Sequence, residues 1–246
     1  MRLLTWNVQG AHGVDVAAVA AVIRASAPDV VALQEIQRRQ ASALATALSM
    51  PSRRWAFKHW PVIARAEGLA VLTRHLLAGA STFPVRRAPF WDWRRRIGLA
   101  ATVVVDGRLV RVVDLHLSPH DEVERRRREA TSTLARAAGS PPPPIIVGDL
   151  NDLPDDGAHA AFLASGWIDA WRTVHPDGAD GSTNWTAGSR LGRPPAQRID
   201  YVLAPPGSTI EECGVVAEAE RFDEFAGLSD HLPLAAAIRL PPEATA

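Results

Sequence analysis

Apolar residues in this chain occur in two spacings, and the alternation between them predicts a fold built from both strands and helices. Residues 15–27 carry apolar side chains at helical spacing, with Asp15 placed to cap the helix and Pro28 placed to end it. An alanine-rich stretch favours a second helix over residues 38–48. Short continuous apolar runs, typical of buried strands, occupy residues 2–8, 29–34, 69–73 and 145–147.

The middle of the chain contains a hairpin signal. Apolar runs at residues 100–105 and 109–115 lie on either side of Asp106-Gly107, which favours a two-residue type I′ turn because both turn positions need positive φ. Further elements are predicted over residues 122–138, a charged helix, and over 198–203 and 232–240, both strands. Strands therefore occur both as a hairpin and separated by helices, so we expect mixed sheets packed in layers with helices outside.

The chain shows no internal repeat and no linker, so we predict a single domain over residues 1–246. Four consecutive prolines at positions 141–144 join the charged helix directly to a strand, which is typical of a tight connection. The 246 residues are 47% apolar, enough to bury a sizeable core, and this composition excludes a disordered protein.

Charge and cysteine content narrow the class of protein. The 27 basic and 27 acidic side chains balance, which removes the simplest argument for a nucleic-acid binder but permits a local basic groove. The single cysteine, Cys213, excludes a disulfide within the chain and a zinc site of several cysteines, and it fits a reducing compartment. No apolar segment of signal-peptide length opens the chain, and no stretch approaches the ~18 apolar residues of a membrane span. We therefore predict a soluble, monomeric cytoplasmic protein.

Polar residues of the types used in catalysis and metal binding recur at the ends of the predicted apolar strands. Each alone is typical of a turn or cap, but six such positions in one chain point to a site, because strand ends at one edge of a sheet converge. They are Asn7, Glu35, His116, Asp149 with Asn151, Asp200, and Asp230 with His231.

In this order the residues closely resemble the endonuclease/exonuclease/phosphatase superfamily, which includes pancreatic-type deoxyribonuclease, abasic-site endonucleases, sphingomyelinases and inositol polyphosphate phosphatases. The resemblance covers residue 4 to about residue 238, and GDxN and SDHxP are its most specific elements. It implies an α+β fold, a four-layer α/β sandwich of two mixed β-sheets flanked by helices. The motifs that carry it are Trp6-Asn7, Gln34-Glu35, His116-Leu117, Gly148-Asp149-Leu150-Asn151, Arg198-Ile199-Asp200-Tyr201 and Ser229-Asp230-His231-Leu232-Pro233.

The resemblance also implies a metal site. Phosphodiester hydrolysis requires neutralising a nonbridging oxygen, presenting an in-line water and protonating the leaving oxygen. Glu35 offers the hard oxygen ligand that Mg²⁺ prefers, with Asn7 as a neutral companion. By resemblance Glu35 is the principal ligand of Mg²⁺, or of Mn²⁺ in its place, and Asp230 adds a carboxylate or holds a second metal.

The remaining motif residues are assigned to proton transfer and phosphate binding. Asp149 and Asn151 lie two apart on an extended segment and can face the same cleft, where one orients the water or metal and the other binds a phosphate oxygen. His231 acts as general base or as a cationic phosphate clamp, and Asp200 fixes its tautomer.

His116 indicates a branch of the family. In the deoxyribonuclease-like and sphingomyelinase-like branches a second histidine here protonates the leaving group, and in the deoxyribonuclease branch its carboxylate partner precedes a strand, as Glu67 does. Abasic-site endonucleases place a tyrosine near the phosphate, whereas the only tyrosine here, Tyr201, lies inside the RIDY segment. The sequence therefore argues against an abasic-site enzyme.

Two arginine-rich segments bear on the substrate. Arginines at 125–128 are read as part of a solvated helix, because glutamates accompany them. The loop at 90–96, with Trp91, Trp93 and three arginines, is suited to stack on bases and grip phosphates, and Trp55 and Trp60 are candidates to line the same groove.

The sequence predicts a metal-dependent phosphodiesterase that hydrolyses phosphate esters, a nuclease acting on DNA or RNA ahead of other substrates. The alternative is a phosphatase or phosphodiesterase acting on a small molecule or lipid headgroup, which the even charge favours. A catalytically inactive binding module is the remaining alternative, although every motif position is intact.

Overall fold

The structure, a computed structural model, describes residues 1–59, 66–86, 96–119, 121–139, 141–179, 181–185, 192–216 and 222–242. Its strands are β1 (Arg2–Asn7), β2 (Val30–Gln37), β3 (Ser52–His59), β4 (Glu67–Thr73), β5 (Leu76–Pro84), β6 (Ile97–Val105), β7 (Arg108–His116), β8 (Ile145–Asp149), β9 (Ile168–Asp169), β10 (Asp200–Ala204), β11 (Thr209–Val215) and β12 (Leu234–Arg239). Its helices are α1 (Val16–Ala25), α2 (Arg38–Ala47), α3 (Val123–Ala138), α4 (Gly157–Ala164), α5 (Ala170–Val174) and α6 (Phe222–Ala226), with a 3₁₀ turn at Gly10–His12.

The strands form two mixed six-stranded sheets. The first has the order β11-β12-β1-β2-β4-β3 and the second β5-β6-β7-β8-β10-β9. Each sheet contains one parallel pair, β1 with β2 and β7 with β8, among antiparallel neighbours. Apolar side chains from both sheets, such as Val30 and Leu99, share one buried cluster between them. The outer face of the first sheet packs on α1 and α2, and that of the second on α3 and α4. The predicted four-layer α+β sandwich is confirmed.

Local signals explain the main elements. Asp15 caps α1 by accepting a hydrogen bond from the Ala18 N–H at 3.0 Å, as its position predicts. The β6–β7 hairpin turns at Asp106 and Gly107, both at positive φ (50° and 78°), as a type I′ turn requires. The hairpin prediction is confirmed.

The prediction missed elements that lie at sheet edges or on the surface. β3, β5 and β11 are edge or near-edge strands with exposed positions, so they lack the continuous apolar runs that identify a buried strand. The reading of the arginines at 125–128 as solvated is wrong for one of them. Arg126 is buried and pairs with Asp152 at 2.9 Å, next to the equally buried Glu129. Within the described residues, no helix is long and apolar enough to cross a membrane.

Candidate active site

Strand ends from both sheets meet at one edge of the sandwich and bring the predicted residues together. Asn7 ends β1, His116 ends β7 and Asp149 ends β8, while Asp200 begins β10. Since β7 and β8 are parallel and β10 is antiparallel to β8, the last three lie side by side. The Asn7 amide, from the first sheet, donates to Asp149 Oδ2, from the second, at 3.0 Å. This hydrogen bond joins the two sheets at the site.

Glu35 reaches the site because β2 contains a bulge. Its pairing with β4 shifts register between Leu33 and Ile36, and Glu35 adopts a φ of 53°. A non-glycine residue in the left-handed region costs about 1–2 kcal/mol, so the surrounding structure must enforce it. The Glu35 side chain is 26% exposed, although Gln34 and Ile36 on either side are fully buried. The bulge therefore turns this carboxylate toward the site.

The GDxN motif holds Asp149 through its glycine. Gly148 has a φ of 123°, and a Cβ on it would lie 2.1 Å from the Leu115 carbonyl oxygen, so β8 can pass β7 this closely only with glycine there. Asp149 Oδ1 then accepts a hydrogen bond from the Asn151 backbone N–H at 2.9 Å. Asn151 has a φ of 52°, a conformation that asparagine tolerates better than most residues.

His231 lies between two buried carboxylates. Its Nδ1 is 2.8 Å from Asp200 Oδ2, which also accepts a hydrogen bond from the Thr183 hydroxyl at 2.6 Å. Its Nε2 is 3.8 Å from Asp149 Oδ2. Burial by itself lowers the pKa of His231, but the charges of Asp200 and Asp149 outweigh it and raise that pKa to about 10. Burial also raises the pKa of Asp149, to about 6. A cationic His231 therefore faces the ionised Asp149 carboxylate at neutral pH.

His116 faces the same aspartate from the other side. Its Nε2 lies 3.6 Å from Asp149 Oδ2 and 3.8 Å from Glu35 Oε1. Its Nδ1 lies 2.7 Å from Lys58 Nζ. The resemblance implied Glu67 as the partner of this histidine, but the structure places the Lys58 ammonium against the ring. Glu67 lies nearby: burial and the charge of Glu35 raise its pKa to about 7, although Lys58 and a backbone N–H oppose them.

Lys58 is a site residue that the sequence reasoning missed. It lies in β3, where the pairing with β4 shifts register between Phe57 and His59. Residue 58 is in phase with the buried Ala56, and only 1% of it is exposed. The sequence contained one indication of this: Lys58 is two residues after the small apolar Ala56, so in a strand both side chains point to the same face. Gly68 lies opposite Phe57, and a Cβ on it would come within 1.9 Å of the Ala56 carbonyl oxygen, so glycine lets β3 and β4 approach.

Asp230 lies at the exposed rim of the site. Its Oδ2 accepts a hydrogen bond from the Gln9 amide at 2.8 Å, and its Oδ1 is 4.0 Å from His231 Nε2. The SDHxP motif is anchored from both sides. The Ser229 hydroxyl donates to the Asn7 carbonyl at 2.6 Å, and the Trp6 indole donates to the His231 carbonyl at 2.8 Å.

Only one residue of the predicted substrate loop lies among the described residues. Trp60, Trp91, Trp93, Arg94 and Arg95 lie outside them. Arg96 is buried and donates to the His116 carbonyl at 3.4 Å. Burial lowers the pKa of Arg96, against the charges of Glu129, Asp149 and Glu35, in that order. Arg96 is therefore part of the buried charge network behind the site.

The residues that could hold a metal ion include a set different from the predicted one. Asp149, Asp200 and His231 offer ligand atoms that all lie within 4.8 Å of one another. Two of these atoms are already committed, however, since His231 Nδ1 is hydrogen-bonded to Asp200 Oδ2. The predicted ligands Asn7, Glu35 and Asp230 lie around the same aspartate, with the carboxylates of Glu35 and Asp230 partly exposed.

This fold and this acidic, histidine-containing site define a class of metal-dependent phosphoric ester hydrolases. A family model described as "Endonuclease/Exonuclease/phosphatase family" matches residues 4–231, and the chain belongs to that family. The family resemblance and the prediction of a phosphoric ester hydrolase are thereby confirmed. No curated protein matches the chain.

Several solved structures are similar to this one. An endonuclease/exonuclease/phosphatase from Beutenbergia cavernae is 28% identical, with a TM-score of 0.75 over 100% of this chain and 73% of that one. A mannosyl-6-phosphatase from Bacteroides thetaiotaomicron is 17% identical, with a TM-score of 0.75 over 98% of this chain and 100% of that one. TDP2 from D. rerio, complexed with a single-strand DNA product, is 17% identical, with a TM-score of 0.72 over 97% and 98%. The last two likenesses show the fold alone.

Proposed function

We propose that the protein is a Mg²⁺-dependent phosphodiesterase, with a nucleic acid as substrate and endonucleolytic cleavage as the reaction. The observation that carries the proposal is the convergence of two histidines on one carboxylate. Nε2 of His116 and Nε2 of His231 approach Asp149 Oδ2 from opposite sheets, at 3.6 Å and 3.8 Å. A phosphate bound beside Asp149 would be within reach of both imidazoles, which can serve different steps of one in-line displacement.

The residues at this edge fit a divalent cation. Glu67 Oε1 is buried without a hydrogen-bond partner among the described residues, and burial together with Glu35 raises the pKa of Glu67 to about 7. Such crowding of carboxylates favours a bound cation, and oxygen ligands suit Mg²⁺. Glu35 and Asp230 would hold the ion, with Asn7 beside them. When bound, the ion would neutralise a nonbridging phosphate oxygen.

The protein's own groups supply the other requirements. His231, whose pKa is raised to about 10, is cationic at neutral pH, which favours a phosphate clamp over a general base. Asp200 orients it through Nδ1. Asp149 is mainly ionised above its pKa of about 6 and would orient the attacking water, with Asn151 binding a phosphate oxygen beside it. His116 would donate the proton at Nε2 to the leaving oxygen.

A cationic groove between α2 and β3, on the outer face of the first sheet, supports a polyanionic substrate. Arg38, Arg53 and Arg54 line a groove of about 490 Å³ together with Trp55. The arginines are exposed, and no ion pair engages them within the described part of the chain. The Trp55 indole donates to the Ile36 carbonyl at 2.9 Å, one residue along the chain from Glu35, and the groove lies against α2 on the outer face of the first sheet. Guanidiniums and an aromatic ring in one groove suit phosphates and bases.

The small-molecule alternative has its own support. The chain has no net charge, with 27 basic and 27 acidic side chains, so attraction to a nucleic acid must come from a local concentration of basic residues. The solved structures of this fold include both a mannosyl-6-phosphatase and a protein with a DNA product, and the fold therefore does not choose between them.

Measuring turnover of several phosphate esters distinguishes a nuclease from an enzyme that acts on small or lipid esters. Plasmid DNA, RNA, a sphingolipid and simple phosphate esters are each incubated with Mg²⁺ or Mn²⁺, with and without excess chelator. Metal-dependent cleavage of DNA or RNA supports the proposal. Turnover of only small or lipid esters supports the alternative, and full turnover in excess chelator contradicts the metal assignment. Oligonucleotide binding without any turnover would indicate a catalytically inactive binding module.

The groove is tested by binding at several salt concentrations, with metal withheld to prevent cleavage. Changing Arg38, Arg53 and Arg54 to Ala should weaken oligonucleotide binding and reduce the slope of log affinity against log salt by about 0.9 per lost phosphate contact. Arg125 and Arg127 on α3, whose side chains are 42% and 55% exposed, provide the control double variant. Equal binding by both variants would show that this groove does not bind the oligonucleotide.

A further inference from the structure

Lys58 differs from every other basic residue of the chain in its side-chain chemistry. The chain has 27 basic side chains, and lysine stands only at position 58, so the other 26 are arginines. It is also almost fully buried, with Nζ 2.7 Å from Nδ1 of His116. Arginine keeps its proton under nearly all conditions, whereas a buried lysine can give its proton up. The single lysine of the chain therefore contacts the ring of the proposed proton donor.

The contact between Lys58 Nζ and His116 Nδ1 limits where the hydrogens of this pair can lie. Two nitrogens 2.7 Å apart share one hydrogen, because one must donate and the other accept. Either the Lys58 ammonium donates to an unprotonated Nδ1, or the protonated Nδ1 donates to a neutral amine. With one positive charge on the pair, His116 Nε2 carries a hydrogen in both arrangements. That hydrogen faces the carboxylates of Asp149 and Glu35 at 3.6 Å and 3.8 Å.

The surroundings of Lys58 contain both signs of charge. Burial lowers the pKa of Lys58 well below its ordinary value, and the nearby Arg96 lowers it further. The carboxylates of Glu35, Asp149 and Glu67 oppose this, and the buried Asp114 lies within electrostatic reach. The lysine is thus held by negative charges that favour its protonated form, in an environment where losing the proton is much easier than in water.

We propose that Lys58 is a positioning residue that keeps the reactive proton on His116 Nε2 and replaces it from behind during leaving-group departure. The inference rests on the proposed hydrolase function. As the bond to the leaving oxygen breaks, the N–H bond at Nε2 breaks and an O–H bond forms on the leaving group. At the same time an N–H bond of the Lys58 ammonium breaks and a bond from that hydrogen to Nδ1 forms. His116 ends neutral with its proton on Nδ1, Lys58 ends as a neutral amine, and no imidazolate is formed.

Comparing a leaving group that needs a proton with one that does not tests whether Lys58 supports proton transfer or only balances charge. Thymidine para-nitrophenyl phosphodiester releases a stable phenolate, whereas a thymidine dinucleotide releases an alkoxide that must be protonated. Both are assayed with wild type, Lys58→Met and Lys58→Arg. Methionine matches the lysine stem without its charge, and arginine keeps charge and donor capacity but does not release a proton. Removing one member of a buried charge network can destabilise a protein, so thermal unfolding of each variant checks folding, and Lys58→Arg keeps the charge.

The expected result is selective loss. Both variants should lose about 10²–10⁴-fold in kcat on the dinucleotide, the usual effect of a lost general acid, and less than about tenfold on the nitrophenyl ester. Equal losses on both esters, or wild-type turnover of the dinucleotide by Lys58→Arg, would overturn the inference. If wild type turns over neither diester, para-nitrophenyl phosphate and glycerol phosphate provide the same contrast for a monoesterase. Failure of wild type on every ester counts against the proposed function instead.

A second measurement is independent of activity. Isotope-labelled lysine gives a spectrum of Lys58 alone, because the chain has no other lysine. Labelled histidine, with His116→Ala for assignment among the eight histidines, reports the tautomer of His116. We expect Nε2 to carry the hydrogen in wild type and the Nδ1 signal to shift in Lys58→Met. A neutral His116 with its hydrogen on Nδ1 in wild type, or an Nδ1 signal unchanged by Lys58→Met, would contradict the proposal without any substrate.

Discussion

Replacing Asp200 with Asn tests how the site keeps His231 charged. Asp200 Oδ2 contacts His231 Nδ1 at 2.8 Å, and asparagine preserves the shape while removing the charge. The pKa of about 10 exceeds the ordinary 6.5 by about 3.5, equivalent to about 5 kcal/mol in favour of the cation. The charge of Asp200 is the largest of the contributions that raise it, ahead of Asp149. We therefore expect Asp200→Asn to lower the pKa of His231 by about 1–2, or about 1.4–3 kcal/mol.

The assay is an NMR titration of the histidine ring protons in wild type and Asp200→Asn, with His231→Ala for assignment. A matched control is Asp169→Asn, because Asp169 pairs with the fully buried His159 at 3.0 Å and with Arg198 at 2.9 Å, and none of its hydrogen bonds goes to His231. That variant should leave the titration of His231 unchanged. A His231 that still titrates near 10 in Asp200→Asn would refute the electrostatic account.

The same pair makes stability depend on pH, with a definite sign. The folded-state pKa of His231 is raised above its unfolded value, so its contribution to stability is fully present below about pH 6.5 and lost as pH rises through about 10. In Asp200→Asn the contribution should be smaller and should disappear at a lower pH. Thermal unfolding between neutral and alkaline pH measures both. Parallel pH profiles for the two proteins would contradict the linkage.

Three further predictions concern other parts of the site and its support. Glu35→Gln should fold normally yet lose most activity, as excess chelator should cause in wild type; substantial activity of Glu35→Gln at saturating Mg²⁺ would reject its ligand role. His116→Ala and His231→Ala should each reduce turnover by about 10²–10⁴-fold, and wild-type behaviour of His116→Ala on every substrate would mean that the leaving-group proton comes from elsewhere. Arg126→Ala should lower the free energy of unfolding by about 3–5 kcal/mol in denaturant titrations, because it leaves the buried charge of Asp152 unpaired. A loss below about 1 kcal/mol would show that this ion pair does not stabilise the fold.

The amino-acid sequence is enough to identify the short motifs that carry chemistry and to show that most of them follow strands. Asn7, His116 and Asp149 end strands, as the apolar runs before them predict, and parallel neighbours bring such ends together. The glycine of the GDxN motif also has a local explanation, because a side chain at position 148 would collide with the backbone of the neighbouring strand. These features depend on nearby residues, which is why a linear pattern reveals them.

The contacts between these groups, in contrast, follow from the way distant segments pack together. Lys58 lies in an edge strand, and the register of β3 on β4 turns it inward against His116, a contact between residues 58 positions apart. The bulge at Glu35 likewise depends on pairing with β4. Arg126 reads as a surface residue in its helix, yet it is buried because it meets Asp152 from a separate loop. Burial and charge pairing depend on the whole fold, because they arise from segments that meet only when both sheets close on one another.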